Sequence, residues 1–486
     1  MSTIANRLDD LLESIADDAS PRLIDAGANR VYSGREVAGQ MRTAHQRLAA
    51  MDLRPEATVL FVVRPSLRAL AFLTALLGTR CRTVLTDLRL PGELVRSQLD
   101  RVGADVLLTE PLISLTAHRP LRRLLSKRAS IPPVHDLGRR VATTRPRRGA
   151  TRSGPRPRPE DEALIVFTSG TTGAPKGVIH TQASLDAMFT ASRDLIDDAR
   201  GNVVYSDQFH SIIPALASGA TCVVGSANLS NQAVARAITD HHVDTWFTTP
   251  HRARQIGGLL DRNRPLRVVL GSAPVNGHLI AELTAQHPNM YLTGVYAMTE
   301  AVPVAVATGS EIARHEGPGD LVGAVVAGIE LTVDDRGEIR IRGPRVGRYL
   351  DDNGEWIATG DLGYLRDDDR LVLTGRVKDM ILTRARNIYP QQFEQFINAD
   401  PDIEESVLVG IPDKHGDEEL WLVVDTDLSS SAVTRRLRRL DAVQSLDIKG
   451  VVVSSLPRGH QEKIDRTACR EFAARARDLD AGVQGR

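Results

Sequence analysis

The feature that most restricts what this 486-residue chain can fold into is a recurring exchange between short apolar runs and helical stretches. "ATVLFVV", Ala57 to Val63, reads as a buried strand, and "SLRALAFLTALLGT" after it as an apolar helix ending at Gly78. "TVLTD" and then "LPGELVRSQLDRVGADVLLTE" continue the series as strand, helix and strand. Farther on, "ATCVVGS", "VDTWFTTP" and "LRVVLGSAP" are short strands that stop at small or turn residues, each leading into a helical stretch. Strands alternating with helices predict an α/β fold around a largely parallel sheet, with ligands gathered where strands give way to loops. From Gly337 the pattern changes to alternation, as in "GEIRIRGP" and "RLVLTGRV", and predicts antiparallel hairpins in a β-rich lobe. "ESVLVGIPD", "LWLVVDT" and "KGVVVSSLP", with helical "TRRLRRL" between them, predict a small α+β lobe. The expected division is a large domain over residues 1–375 and a small one over 376–486, joined near Gly375 to Lys378.

Charge and composition exclude several classes of function. Lys and Arg total 61 and Asp and Glu total 61, so no net field draws the chain to nucleic acid or to an acidic membrane surface. A hydrophobic share of 42% beside a charged share of 25% fits a soluble globular protein. Cys81, Cys222 and Cys469 lie far apart without CxxC spacing and are expected as small buried hydrophobes. Near the N-terminus, Ile4, Leu8, Leu11, Leu12 and Ile15 recur at helical spacing with acidic residues opposite, which predicts a surface helix rather than a secretory leader. The longest apolar run, around Ala69 to Leu77, contains a threonine and falls well short of the roughly 18 residues that a membrane span needs. The expected location is the cytoplasm. Val141 to Pro159, "VATTRPRRGATRSGPRPRP", is rich in arginine, proline and glycine and is expected to be a solvated connector, over about residues 141–160.

One loop points to chemistry. "FTSGTTGAPKGVIHT", Phe167 to Thr181, follows an apolar run directly. The amides freed by Gly170 and Gly173 and the hydroxyls of Thr168, Ser169, Thr171 and Thr172 form a set of donors, and Lys176 adds one mobile charge. That combination suits a polyphosphate. It departs from GxxxxGK[ST], because Lys176 is followed by Gly177 and the glycines at 170 and 173 are three apart, so a kinase-type NTPase is the weaker reading. Lysine itself is scarce: the six are Lys127, Lys176, Lys378, Lys414, Lys449 and Lys463. A lysine kept against such a bias toward arginine points to chemistry that a planar guanidinium performs poorly.

"TSGTTGAPKG" resembles the phosphate loop of the acyl-adenylate-forming superfamily, which includes acyl- and aryl-CoA ligases, adenylation domains of peptide synthetases, and luciferases. Further blocks appear in that superfamily's order: "GSAP" at Gly271, "VYAMTE" at Val295, "WIATGDLGYL" at Trp356, "GRVKDMI" at Gly375, "NIYPQQFE" at Asn387 and "LPRGHQEKIDR" at Leu456. Three of the six lysines, Lys176, Lys378 and Lys463, fall at its motif lysines. The resemblance implies that Glu300 holds Mg²⁺, that Thr299 bonds a phosphate oxygen and that Tyr296 stacks on adenine beside the backbone of Gly271, Ser272 and Ala273. It implies that Asp361 chelates the ribose hydroxyls with Arg376 alongside. Lys378 would sit at a hinge about which the small domain turns between two half-reactions, and Lys463 would bridge the attacking carboxylate and the α-phosphate. Phe209 and His210, with Gly271, are the candidates for the acid's pocket, and His210 is equally well read as a core histidine. No aspartate is placed to bind an α-amino group, which favours a simple organic acid.

The resemblance therefore implies an ATP- and Mg²⁺-dependent, AMP-forming ligase that adenylates a small carboxylic acid and passes the acyl group to a thiol, coenzyme A first among them. The alternatives are delivery to the phosphopantetheine of an acyl carrier protein or to a non-thiol nucleophile, and, from another class, a nucleotide-binding protein that has lost catalysis. Ala297, Ala385, Gln392 and Glu462 depart from the superfamily's pattern, and Ala385 and Glu462 bear on the second half-reaction.

Overall fold

The computed structural model describes residues 2–63, 66–85, 97–98, 100–109, 134–136, 155–168, 176–196, 201–226, 229–352, 354–383, 386–413, 417–459 and 463–484. Ser169, Gly170, Thr171, Thr172 and Gly173, Ala385, Glu462 and most of the expected connector lie outside the described residues. Within them the α/β expectation holds. A seven-stranded sheet carries Thr58–Val62 and Arg82–Leu85 near its middle, both parallel to their neighbours. A 13-stranded sheet begins with parallel strands that include Val203–Ser206, Thr221–Val224, Thr245–Thr248, Leu266–Leu270 and Met290–Met298.

The helices Ile4–Ser14, Gly34–Ala50, Leu67–Leu77, Gln182–Arg193 and Phe209–Ala217 contribute to one continuous core with these sheets, a cluster that contains Phe61 of the first sheet, helix residues Leu70, Met188 and Ile212, and strand residues Val204 and Cys222 of the second. Leu67–Leu77 is buried on nearly every face, the state of a helix that is apolar all round. Its start is set by Ser66, whose hydroxyl accepts from the amide of Ala69. The N-terminal helix buries Ile4, Leu8, Leu11 and Ile15 as its spacing predicts, and all three cysteines are free and buried.

The change to antiparallel pairing comes earlier than Gly337. Met290–Met298 turns at Thr299 and Glu300 into Ala301–Thr308, and these two strands pair antiparallel. Asp320–Val325, Arg370–Arg376, Ile357–Leu365, Glu338–Arg342 and Glu330–Val333 then continue the same sheet. Alternation is hidden in "AVPVAVAT" because both faces are covered: Val304, Ala305 and Ala307 are buried and Val302 and Val306 half-buried, so no polar positions mark a solvent side.

After Arg376, a short 3₁₀ turn, Val377–Asp379, leads to a three-stranded sheet of Glu405–Pro412, Glu418–Asp425 and Ile448–Val453, with helices Gln391–Ile397, Ser430–Leu437 and Arg466–Gln484. Among the described residues, the two apolar clusters of this region contain nothing before Ile381, and the clusters of the rest of the chain contain nothing after Leu373. No helix in them is long and apolar enough to cross a membrane.

Candidate functional site

Parallel strands that end together leave their loops on one edge, and three of the predicted segments lie there: Phe209 and His210 after Val203–Ser206, Gly271 to Ala273 after Leu266–Leu270, and Thr299 and Glu300 after Met290–Met298. Ser272 has φ +68°, a left-handed conformation that costs a non-glycine residue free energy and that clusters at functional sites. The Gly271 amide bonds to the carbonyl of Thr248 at 3.1 Å, which fixes where the strand stops.

The phosphate loop joins two strands of the other sheet. Glu162–Thr168 and Lys176–Thr181 pair antiparallel, with Thr168 opposite Lys176. Lys176 is exposed, and its ammonium stands 4.8 Å from the centre of the Tyr349 ring. Tyr349 belongs to the two-residue strand Arg348–Tyr349, which pairs antiparallel with Lys176–Thr181. Burial first, and the nearby Glu300 carboxylate second, raise the pKa of its hydroxyl.

Glu300 is buried at 5% exposure. Two bonds from other segments set its turn. The amide of Gly347 donates to the Glu300 carbonyl at 2.7 Å. His180, the inward-facing residue of Lys176–Thr181, reaches the Thr299 carbonyl through Nε2 at 2.8 Å. A carbonyl only accepts, so that nitrogen carries the proton. Desolvation pushes the His180 pKa down and keeps the ring neutral, with the Thr299 bond opposing. His180 and Tyr349 belong to no motif that singled them out. The only sequence signal for either is a polar residue at an inward position of an apolar strand in "GVIHT".

A second cluster forms around Asp361. Gly360 has φ +73°, which lets the chain turn sharply and aim the next side chain inward. The hydroxyl of Thr359 accepts from the Asp361 amide at 3.0 Å and donates to the Ile339 carbonyl at 2.8 Å. The two carboxylate oxygens are then divided: Tyr296 donates its phenol to Oδ2 at 2.7 Å and Arg376 its Nε to Oδ1 at 2.5 Å. Burial first, and the Asp361 charge second, hold the Tyr296 hydroxyl protonated with its pKa well above the ordinary value. Asp361 has 9% side-chain exposure and Arg376 43%, so the arginine can leave the carboxylate without unpacking the core.

Lys463 and Lys378 complete this cluster. The carbonyl of Lys463 accepts from the Gly459 amide at 2.7 Å, and the side chain is open to solvent. Even so, the surrounding protein desolvates the ammonium and lowers its pKa, Arg376 and Lys378 lower it further, and Asp361 opposes them. The exposed ammonium is thus within electrostatic reach of three other charged groups. Lys378 is likewise exposed, and desolvation lowers its pKa against the pull of Asp379. Behind them, Arg466 makes a bidentate pair with Glu394, at 2.8 and 2.5 Å, and lies 3.6 Å from Asp379.

Phe209 packs partly on the inter-sheet core. His210 is open to solvent and so is not a core histidine, and desolvation lowers its pKa to about 4. Among the described residues, no group of three or more His, Cys, Asp or Glu gathers into a metal site. The donor set present is one buried carboxylate, Glu300, beside the phosphate-loop strand. That fits Mg²⁺, which binds through one or two carboxylates plus substrate phosphates rather than in an all-protein cage.

A family model described as AMP-binding enzyme matches residues 17–349. Indoleacetate–CoA ligase of Aromatoleum aromaticum is 27% identical over 351 residues, 65% of this chain and 68% of that protein. Oxalate–CoA ligase of Arabidopsis thaliana is 26% identical over 348 residues, 63% of this chain and 67% of that protein. Amide bond synthetase McbA from Marinactinospora thermotolerans superposes with a TM-score of 0.82 over 96% of this chain and 99% of its own, at 22% identity. ATP-bound MatB from Rhodopseudomonas palustris gives 0.79 over 96% and 98%, at 19% identity. At those identities the two structures are similar in fold.

Proposed function

Because the chain belongs to the AMP-binding enzyme family, we propose that it joins a small carboxylic acid to AMP at the expense of ATP, releasing pyrophosphate, and then transfers the acyl group to coenzyme A. What supports this reading is that Lys463, from the last lobe of the chain, lies within electrostatic reach of Asp361, Arg376 and Lys378. A carboxylate attacking the α-phosphate of ATP brings two anions together, and the site must supply positive charge where negative charge grows.

The roles follow from what each group touches. The loop before Lys176, and Lys176 itself, receive the β- and γ-phosphates. Asp361 exchanges its bonds from Tyr296 and Arg376 for the ribose hydroxyls, with the guanidinium of Arg376 remaining within reach. Tyr296 offers its ring face to adenine above Gly271, Ser272 and Ala273. Lys463 takes the position between the acid's oxygen and the α-phosphate, while Thr299 donates to a phosphate oxygen. Glu300 is the protein's ligand for Mg²⁺, which when bound neutralises phosphate charge. Phe209 and His210 line the acid's recess. An imidazole held neutral there gives the carboxylate no counter-charge, so the acid is oriented by shape and by Lys463.

The separate apolar clusters on either side of residues 374–380 support a division into domains 1–375 and 376–486 with the joint at Lys378. Rotation there would withdraw Lys463 and admit the thiol. Pyrophosphate exchange over a panel of aryl, short-chain and long-chain acids tests the first half, and coenzyme A, a carrier protein and an amine offered to the best acyl-AMP test the second. Exchange with no acid in the panel would count against adenylation, and transfer to the amine alone would replace coenzyme A as acceptor.

A further inference from the structure

Two residues of the helix Gln391–Ile397 grip opposite sides of the proposed joint. Gln391 donates its side-chain amide to Oδ2 of Asp320, a buried residue that pairing with Leu373 fixes in the large sheet. Glu394, one turn on and on the same face, accepts the bidentate Arg466 pair at 2.8 and 2.5 Å and the Leu408 amide at 2.8 Å. Arg466 stands three positions after Lys463. The segment before it is pinned, because the Asp465 amide donates to the Pro457 carbonyl at 2.8 Å and the Gly459 amide to the Lys463 carbonyl at 2.7 Å. Asp320, Gln391, Glu394 and Arg466 therefore form a continuous series from the large sheet to the segment that carries Lys463.

We propose that Gln391 is a positioning residue for adenylation: its bond to Asp320 seats the small lobe so that Lys463 comes to the reacting atoms, and that bond breaks when the lobe turns for transfer. The inference rests on the ligase reading and on the joint at Lys378 given above. Asp320 precedes the Val377–Asp379 turn and Gln391 follows it, so rotation there carries the donor away from its acceptor. Desolvation lifts the Asp320 pKa only to about 6, so at neutral pH the amide donates to a carboxylate. A charge-assisted bond of that kind is roughly twice as strong as a neutral one. It can hold one arrangement of two lobes and still be exchanged for water when the carboxylate is uncovered.

The test measures the half-reactions separately, as pyrophosphate exchange at saturating ATP and acid, and as transfer from supplied acyl-AMP to coenzyme A or to the acceptor that the wild type prefers. Gln391→Ala should lower exchange by about tenfold, the size of one hydrogen bond to a charged group, and leave transfer within about twofold of the wild type or faster. A residue that only stabilised the fold would slow both steps alike. Asp320→Asn combined with Gln391→Glu interchanges acceptor and donor at the same two places and should restore exchange to within about threefold of the wild type. Exchange by Gln391→Ala within about twofold of the wild type, an equal loss of both steps, or no recovery in the interchanged pair would each overturn the assignment while the ligase reading stands. A wild type that exchanges pyrophosphate with no acid overturns both. Gln391 is half-buried and its truncation leaves the Glu394–Arg466 pair in place, so the variant should fold. If a melting curve shows otherwise, Gln391→Asn, one methylene shorter, withdraws the amide and reads the same split.

Discussion

Replacing Lys463 with alanine should separate binding of ATP from chemistry on it. The ammonium lies among Arg376 and Lys378, which with desolvation lower its pKa, so in the absence of nucleotide it contributes repulsion to the cluster. Two cations remain after its removal. Because exposed charges interact weakly, the KM for ATP should change by less than about threefold. The rate of adenylate formation should suffer far more, since losing a preorganised donor aimed at developing charge costs about 10²- to 10³-fold. The side chain is open to solvent, which places the expectation at the lower end, about 10². Stability should move little, because surface substitutions away from buried networks stay within about 0.5 kcal/mol. Pyrophosphate exchange at saturating acid, with the ATP concentration varied, measures both quantities, and a melting curve checks the fold. The wild type should lose exchange as pH rises, at a lower pH than an ordinary lysine would set, and the variant should lack that alkaline limb. Exchange by Lys463→Ala within tenfold of the wild type would refute the role.

Three further expectations concern the joint and its supports. Lys378→Pro fixes a backbone dihedral in the Val377–Asp379 turn and should leave acyl-AMP formation intact while slowing transfer from supplied acyl-AMP to coenzyme A; equal loss of both would place the hinge elsewhere. Arg466→Leu leaves Glu394 buried without its bidentate partner and should destabilise the protein by about 3 kcal/mol in urea unfolding, the low end for breaking a buried pair because the arginine is 30% exposed. The double variant with Glu394→Leu should recover part of that loss. Asp320 is buried beside Gln391 and Glu394, and desolvation raises its pKa to about 6. The folded state therefore holds a proton that the unfolded state has released, so stability from this group is present at low pH and declines as pH rises from about 4 through about 6. Its loss should amount to about 3 kcal/mol, and Asp320→Asn should flatten that part of the stability–pH curve; an unchanged slope would show that Asp320 titrates normally.

The element types were legible wherever one physical demand dominated. Leu67–Leu77 could only be a buried helix and Thr58–Val62 a buried strand, because runs so apolar have no solvent face. The hairpin at Thr299 and Glu300 was not legible as such. Its strands are covered on both faces, so the period of two that marks a half-buried strand never appears. His210 read equally well as core or pocket, and only its exposure at the start of Phe209–Ala217 excludes the core.

By itself the amino-acid sequence determined the chemistry available: a hydroxyl- and glycine-rich loop with one lysine, a carboxylate after Thr299, an aspartate after Gly360, and a lysine near the C-terminus. These are residue types that bonding to phosphate, metal and ribose requires, and side-chain chemistry survives in a string of letters. Which of them meet was decided by the tertiary structure. Tyr296 bonds Asp361 across 65 positions and His180 bonds Thr299 across 119, and the Tyr349 ring carries Lys176. Such pairings depend on strand order and register in two sheets. Register is set by the packing of the whole core, and no short stretch of the chain carries it.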